Sequence, residues 1–211
     1  MKNKKNKTSV RKTQSEESKN AILETALRLF SEHGYDGVGL RAIADEVGVN
    51  HAMIGYYFGG KKELWQAATQ FLFERQAKIY AESKAKLSDL NLTPKEQAKA
   101  DVRGYVKYCA KYPEHARLMI QESMRDTDRL TTITSFLSEQ HKSSIATIDE
   151  WMNEGFIPRM PPVSLIYALV GMSQLPFALK NEIMGVHDID YTDEQVIEAH
   201  CDTVVSLFFT D

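Results

Sequence analysis

LRAIADEVGVNHAMIGYYF, residues 40–58, falls into two short helices that part at Gly48. Leu40, Ile43, Ala44 and Val47 recur with the rhythm of one buried helical face, and Val49, Ile54 and Phe58 begin a second. Ala44 is small where two helices must cross closely, Gly48 can take the positive φ of a tight turn, and Asn50 can cap the second helix through its side-chain oxygen. Two helices joined this way form a helix-turn-helix. A hairpin that served only as core would not leave His51, Met53, Tyr56 and Tyr57 together on the outer face of its second helix. Such a face suits the reading of DNA.

Upstream, a helix is expected to begin near Ser15 to Ser18, where a hydroxyl cap and the acidic Glu16 and Glu17 suit a helix N-terminus. Ile22, Ala26, Leu29 and Phe30 form its apolar stripe, Leu23 and Leu27 widen it, and Gly34 ends it after His33. This helix supports the reading pair from behind. Residues 1–14 carry Lys2, Lys4, Lys5, Lys7, Arg11 and Lys12 with almost nothing apolar to bury, the composition of a disordered basic arm. Two uses stay open for it: an arm that follows phosphates or enters the minor groove, and a solvated tail. Downstream, Gly59 and Gly60 make a turn, and Lys61 and Lys62 open a long helix that reaches about Lys86. Its apolar positions are Leu64, Ala68, Phe71, Leu72 and Ile79, with Trp65 and Phe73 as packing residues at the same junction.

The longer run AILETALRLFSEHGYDGVGLRAIADEVGVNHAMIGYYFGGKKEL, residues 21–64, resembles the N-terminal domain of the tetracycline-repressor (TetR) family of bacterial transcription regulators. The marks are a first helix ending in LFxxxGY, the IAxxxGV turn and the YYFxxKxEL exit into a long fourth helix. They cover under a third of the chain. The resemblance implies that Lys61 contacts a phosphate, that the body holds a ligand pocket, and that the chain dimerises. Two departures stand out. Val38 and Gly39 occupy positions where the family usually has hydroxyl residues, which removes a phosphate contact and a stronger cap, and Gly55 stands where the recognition helix usually has a tyrosine.

The rest of the chain reads as helices. Pro94 suits the first turn of one that buries Ala98, Val102, Tyr105, Val106 and Cys109 and ends near Lys111. Pro113 starts another with Leu118 and Met119 inward, and a longer one runs from about Asp128 to Asn153. GFIPRMPP, residues 155–162, cannot be helical through its three prolines. Beyond it lie two strongly apolar helices, about 163–180 and 192–209, with Pro176 kinking or ending the first. A pair like this has an obvious use in packing on its own copy in a four-helix homodimer interface. No alternating strand pattern, hairpin signal or internal repeat competes. The fold class is therefore all-α, with three parts: the arm at 1–14, a three-helix DNA-binding domain at 15–62, and a ligand-binding and dimerisation domain of about six helices at 63–211.

Charge agrees once it is split. Residues 1–62 hold 11 Lys/Arg against 7 Asp/Glu, and residues 63–211 hold 15 against 22, so the positive end is the end with the helix-turn-helix. Cys109 and Cys201 lie far apart without a metal-ligand spacing, which argues for buried free thiols and no metal. No apolar run is long enough for a membrane span, and the polar N-terminus lacks a secretory signal, so a cytoplasmic protein is expected. GxSxG, GxxxxGK[ST], HExxH and GxGxxG motifs are missing, so no enzyme and no cofactor are expected. An enzyme would need an atypical helical active site. Glu122, beside an apolar run, reads as a buried carboxylate or, more commonly on an amphipathic helix, as a partly exposed one.

The expected function is a ligand-responsive transcriptional regulator: a repressor that binds an inverted-repeat operator as a homodimer and is released by a small molecule. An activator or global regulator on the same fold is the alternative, since a fold does not give the sign of regulation. Asn50, His51, Met53, Tyr56 and Tyr57 are the expected base-facing residues, and Lys61 and Arg41 the phosphate contacts. Following the resemblance, Phe71, Tyr105, Tyr108, Met119, Phe136, Trp151 and Phe177 are the expected pocket lining, with Arg75 and Glu122 orienting the ligand. So few charges there favour a small, largely apolar or aromatic effector.

Overall fold

The computed structural model describes the backbone of residues 2–210 and the side chains of residues 14–210. Among these residues the chain forms ten helices and no strand, gathered in two compact units, Met1–Phe73 and Glu74–Asp211.

The first unit is built from α1 (Lys2–Gly37), α2 (Leu40–Val47), α3 (His51–Phe58) and the opening turns of α4 (Lys61–Ser88). Its core is Ile22, Ala26, Phe30, Ile43, Ala44, Ile54, Leu64 and Trp65. Each large apolar side chain buried there contributes roughly 1.5–3 kcal/mol. The backbone of α1 is already helical at Lys2, well before the expected start at Ser15 to Ser18, and does not form a separate arm. Residues 2–18 contain neither Pro nor Gly, so nothing breaks the hydrogen-bond ladder before the apolar stripe begins. The arm's basic side chains, and their use on DNA, lie outside the described residues. Gly34 does end the long helix as expected, with φ 73° and ψ 163° inside α1. The ring of Tyr35, just beyond, stacks on Phe30 at 5.9 Å and meets Trp65 edge-on at 6.5 Å. These contacts bind the start of α4 to the first unit, which explains why the units divide after Phe73 and not at residue 62.

The second unit holds the rest of α4 with α5 (Pro94–Lys111), α6 (Pro113–Ser123), α7 (Asp128–Asn153), α8 (Pro162–Ala178), α9 (Lys180–His187) and α10 (Glu194–Phe208). A reciprocal capping box opens α5. The Thr93 hydroxyl accepts the Glu96 N–H at 3.3 Å, the Glu96 carboxylate accepts the Thr93 N–H at 2.8 Å, and Pro94 takes the first turn. α8 packs against α5, α6, α7 and α10, and α10 packs along α5. The shared core includes Val102, Val106, Cys109, Leu165, Ile166, Phe177, Cys201, Val204 and Phe208. Both cysteines are buried free thiols, as their spacing implied, and burial pushes Cys109 up to about 12.

Pro176 lies inside α8, two residues before its end. The helix continues to Ala178 and then bends by 69° into α9. Pro176 has no N–H to give the carbonyl of Met172, one helical turn back, and His200 of α10 fills that vacancy: its Nε2 donates to Met172 O at 2.9 Å. The His200 ring also packs edge-on against Phe177 at 5.7 Å and Tyr191 at 5.6 Å. α9 has no counterpart in the sequence reading. It spans 8 residues, buries none of them and contains Gly185, so it offers no apolar stripe to detect. Val204, on the second of the two apolar helices expected to form the homodimer interface, is fully buried within its own chain. Exposed instead are Val163, Tyr167 and Leu175 on α8 and Leu207 on α10. No single helix among the described residues is long and apolar enough to cross a membrane.

Candidate nucleic-acid interface

α2 opens at Gly39, which supplies extended backbone and no side-chain cap, as expected from the absent hydroxyl. It closes at Gly48, where φ 76° and ψ 31° put the backbone in the left-handed region that a Cβ disfavours. The turn is locked when Val49 N–H reaches Ala44 O at 3.0 Å. Asn50 then caps α3, its Oδ1 accepting the Ala52 N–H at 2.8 Å. Ile54 is buried and Phe58 half-buried, so the side of α3 opposite Ile54 points away from the unit.

On that outward side Asn50, His51, Ala52, Gly55 and Tyr56 are exposed, Tyr56 at 84 %. Asn50 engages one lone pair of its oxygen in the cap, and its amide N–H groups are free of the cap to donate to an acceptor on a base edge. Met53 and Tyr57 are half-buried. Tyr57 turns towards α1, where the Ser15 hydroxyl donates to its oxygen at 3.3 Å and the Lys19 ammonium lies 5.6 Å from its ring centre. Its place is against a supporting helix more than on the reading face. Ala52 and Lys62, both exposed, were not singled out from the sequence. The signal for Ala52 was available, since it lies one turn before Tyr56 on the same side.

Arg41 is exposed on α2. Lys61 is half-buried, with its ammonium 4.5 Å from the centre of the Tyr35 ring. A lysine at the first position of a helix faces the positive end of the helix dipole, and the π face of Tyr35 offsets part of that cost. Tyr35 thus holds Lys61 in one place beside the reading helix. Arg28 of α1 pairs with Glu46 of α2 and, at 3.1 Å, with Glu32 of its own helix.

Of the residues proposed for a ligand pocket, Phe71 belongs to the first unit and the other eight to the second. Arg75 pairs with Glu114 at 2.6 Å and lies 4.0 Å above the ring of Tyr112. It also hydrogen-bonds the Tyr108 hydroxyl, which bonds in turn to Nδ1 of the buried His115 at 3.0 Å. Burial, with Arg75 adding to it, drives His115 down to about 3, so the ring is neutral. Glu122 is not the partly exposed glutamate favoured above: only 2 % of the residue is exposed, and it accepts from Arg129 Nε at 2.9 Å. Gln174 donates to the Tyr105 hydroxyl at 2.8 Å. Met119 is buried and Phe136 half-buried. Trp151 packs on Phe209 at 5.5 Å, and Phe177 is core. The structure therefore brings Arg75 and Tyr108 together around His115, while Trp151 and Phe177 are occupied by aromatic neighbours.

Residues 22–68 match the family model of bacterial regulatory proteins, tetR family, and residues 77–210 that of the YcdC-like protein, C-terminal region. The chain belongs to the TetR family of transcription regulators. The two matches leave residues 69–76 between them, the stretch where the units divide. The HTH-type transcriptional repressor NicS of Pseudomonas putida is 29 % identical over 119 residues, 56 % of this chain and 54 % of NicS. The chain thus aligns with about half the length of that relative. The HTH-type transcriptional regulator RutR of Escherichia coli K12 is 27 % identical over 160 residues, 74 % of this chain and 72 % of RutR. Among solved structures, AibR in complex with isovaleryl coenzyme A and operator DNA aligns with TM-score 0.70 at 16 % identity, covering 91 % of this chain and 98 % of AibR. The ketosteroid regulator KstR2 of Mycobacterium tuberculosis aligns with TM-score 0.66 at 15 % identity, covering 92 % and 95 %. At these identities the likeness establishes the fold, and the family match establishes a DNA-binding transcription regulator.

Proposed function

We propose that this protein is a cytoplasmic repressor that binds an inverted-repeat operator as a homodimer and leaves it when a small molecule occupies the second unit. The observation that carries the reading is the α2–α3 pair. Its Gly48 turn and Asn50 cap hold α3 so that His51 and Tyr56 stand clear of the unit, with Arg41 and Lys61 nearby in sequence to take phosphates. The relatives support regulation by repression, since NicS is a transcriptional repressor. AibR, solved with both a ligand and operator DNA, supports effector control.

Dimerisation is supported by what α8 and α10 leave uncovered. Val163, Tyr167 and Leu175 recur along one side of α8, and Leu207 is 71 % exposed on α10. Covering these side chains against a second copy would remove them from water. Two copies present two recognition helices, so half-sites are expected about one helical turn, or a multiple of it, apart.

For the effector, Tyr105, Tyr108, Met119, Phe136 and Arg75 are the proposed contacts, with Glu122, Trp151 and Phe177 as supporting wall. The charges in this set are already matched, Arg75 by Glu114 and Glu122 by Arg129. That pairing favours a small, mostly apolar or aromatic ligand over a phosphorylated one. A hundredfold loss of operator affinity requires about 2.7 kcal/mol of coupling between the two sites. α4, which carries Lys61 and Arg75 on one continuous helix, is the proposed carrier.

The test is selection of bound duplexes from a random-sequence library by the full-length protein, followed by a reporter gene placed behind the selected site. Enrichment of an inverted repeat and lower reporter output when the protein is present are expected. Enrichment of no sequence overturns the DNA reading, and a rise in output overturns repression.

A further inference from the structure

Among the described residues nothing makes use of the side chain that Gly55 lacks. Gly55 sits within α3, an 8-residue helix, where a glycine costs roughly 0.5–1 kcal/mol relative to alanine. An element this short is the least able to absorb such a cost, because isolated helices of fewer than about a dozen residues are marginal even with good helix formers. The three reasons that normally retain a glycine all fail here. Its backbone is not among the positive-φ positions, which are Gly34, Gly48, Gly59 and Gly155 for glycine. Among the described residues a Cβ built on it would meet nothing within 4 Å, so none of the elements they form needs the room. It ends no helix, since Gly59 performs that task with φ 90° and donates its N–H to Gly55 O at 2.9 Å.

What remains is a requirement imposed from outside. Gly55 is exposed one helical turn after His51 and directly before Tyr56, on the side of α3 that faces away from the unit. A bare helix at that point offers no hydrogen bond, because an interior helical residue spends both N–H and C=O on the ladder. It offers only clearance and apolar Cα surface. In the major groove the one group that calls for clearance without a hydrogen bond is the C5-methyl of thymine. A polar base edge placed there would be stripped of water with nothing to pair with.

We propose that Gly55 is a specificity-determining residue of this recognition helix, and that its missing side chain makes room for a thymine methyl at one position of each half-site. The proposal rests on α3 being the reading helix. It adds that α3 seats more deeply than a helix with a side chain at this place could.

The experiment uses the full-length protein and the duplex that the wild type enriches from a random library. Gly55→Ala adds one methyl group to open space in the free protein, so its thermal midpoint should be equal or higher. On the enriched duplex it should bind about tenfold more weakly than wild type, with affinity for random duplex unchanged. The decisive arm replaces each thymine of a half-site in turn with deoxyuridine, which lacks only the methyl. One such replacement should return Gly55→Ala to within about twofold of the wild-type affinity on the same duplex. Equal affinity of Gly55→Ala and wild type on the enriched duplex, a loss shared equally by random duplex, or a loss that no deoxyuridine rescues would each overturn the proposal. If the wild type enriches no duplex at all, the reading of α3 itself fails, which is a different result.

Discussion

Acid should loosen the second unit through a single buried imidazole. His115 is 4 % exposed and bonded through Nδ1 to Tyr108, whose hydroxyl Arg75 contacts in turn. Burial raises the Tyr108 pKa, so that hydroxyl keeps its proton and donates it to Nδ1. Protonating His115 would put a second proton on that hydrogen bond and a second positive charge beside Arg75, at a position buried from solvent. The folded pKa therefore falls to about 3 from its ordinary 6.5. The sign follows directly: between those two values the unfolded chain holds a proton that the folded chain refuses, so stability declines as pH falls from about 6.5 towards 3. At pH 5 the unfolded state has gained roughly one and a half pH units of binding, which corresponds to about 2 kcal/mol relative to pH 7. For an unfolding transition this is a large share of a typical total. The assay is urea denaturation at fixed protein concentration at pH 7, 6 and 5, on wild type and on His115→Gln, whose amide can still accept from Tyr108 and does not titrate. Gln should lower stability at pH 7 and flatten the fall between pH 7 and 5 by about 2 kcal/mol. Parallel slopes for the two proteins would refute the reasoning, because the proton uptake would then lie elsewhere.

Three further outcomes follow from the geometry. His51→Ala should cost about 1–3 kcal/mol on the selected duplex with little change on random DNA, whereas Lys61→Ala should weaken both alike and reduce the salt slope by about one; Tyr35→Leu should resemble Lys61→Ala, Tyr35→Phe should not, and competition titrations at several salt concentrations decide. Leu207→Asp should leave the thermal midpoint of the protomer nearly intact and give monomers by sedimentation with much reduced operator affinity, while Val204→Glu, which strands a carboxylate in the core, should unfold the chain. His200→Ala removes the donor to the Met172 carbonyl that Pro176 leaves open, and should lower stability by roughly 1–3 kcal/mol, visible in denaturant midpoints.

The helix-turn-helix could be read from residues 40–58 because everything that makes it is local: the apolar rhythm, a glycine at the turn, and an asparagine whose cap lies two residues away. The same holds for the proline-led starts of α5 and α6 and the end of the first helix at Gly34. Local signals failed where the element had no buried face, as in α9, and where polar sequence without a breaker simply stayed helical, as in the first turns of α1. Which way a side chain faces is a different kind of fact, settled by the neighbours that happen to share its space. Periodicity puts Val204 and Leu207 alike on an apolar helix, and only the packing of α10 on α5 buries the first and exposes the second. It makes Tyr57 as outward as Tyr56 until α1 brings Ser15 and Lys19 to it. Arg75 and Glu114, and His200 and Met172, are pairs formed across helices at separations along the chain that no short window of sequence spans, and Glu122 meets the nearby Arg129 only because the chain breaks between α6 and α7. The sequence alone determined most of the helices and the helix-turn-helix motif, since those interactions close within a turn or two. The tertiary structure decided which charges are matched, which carbonyl is rescued and which faces are left for a partner, because burial is a property of surfaces that meet only after the chain has folded.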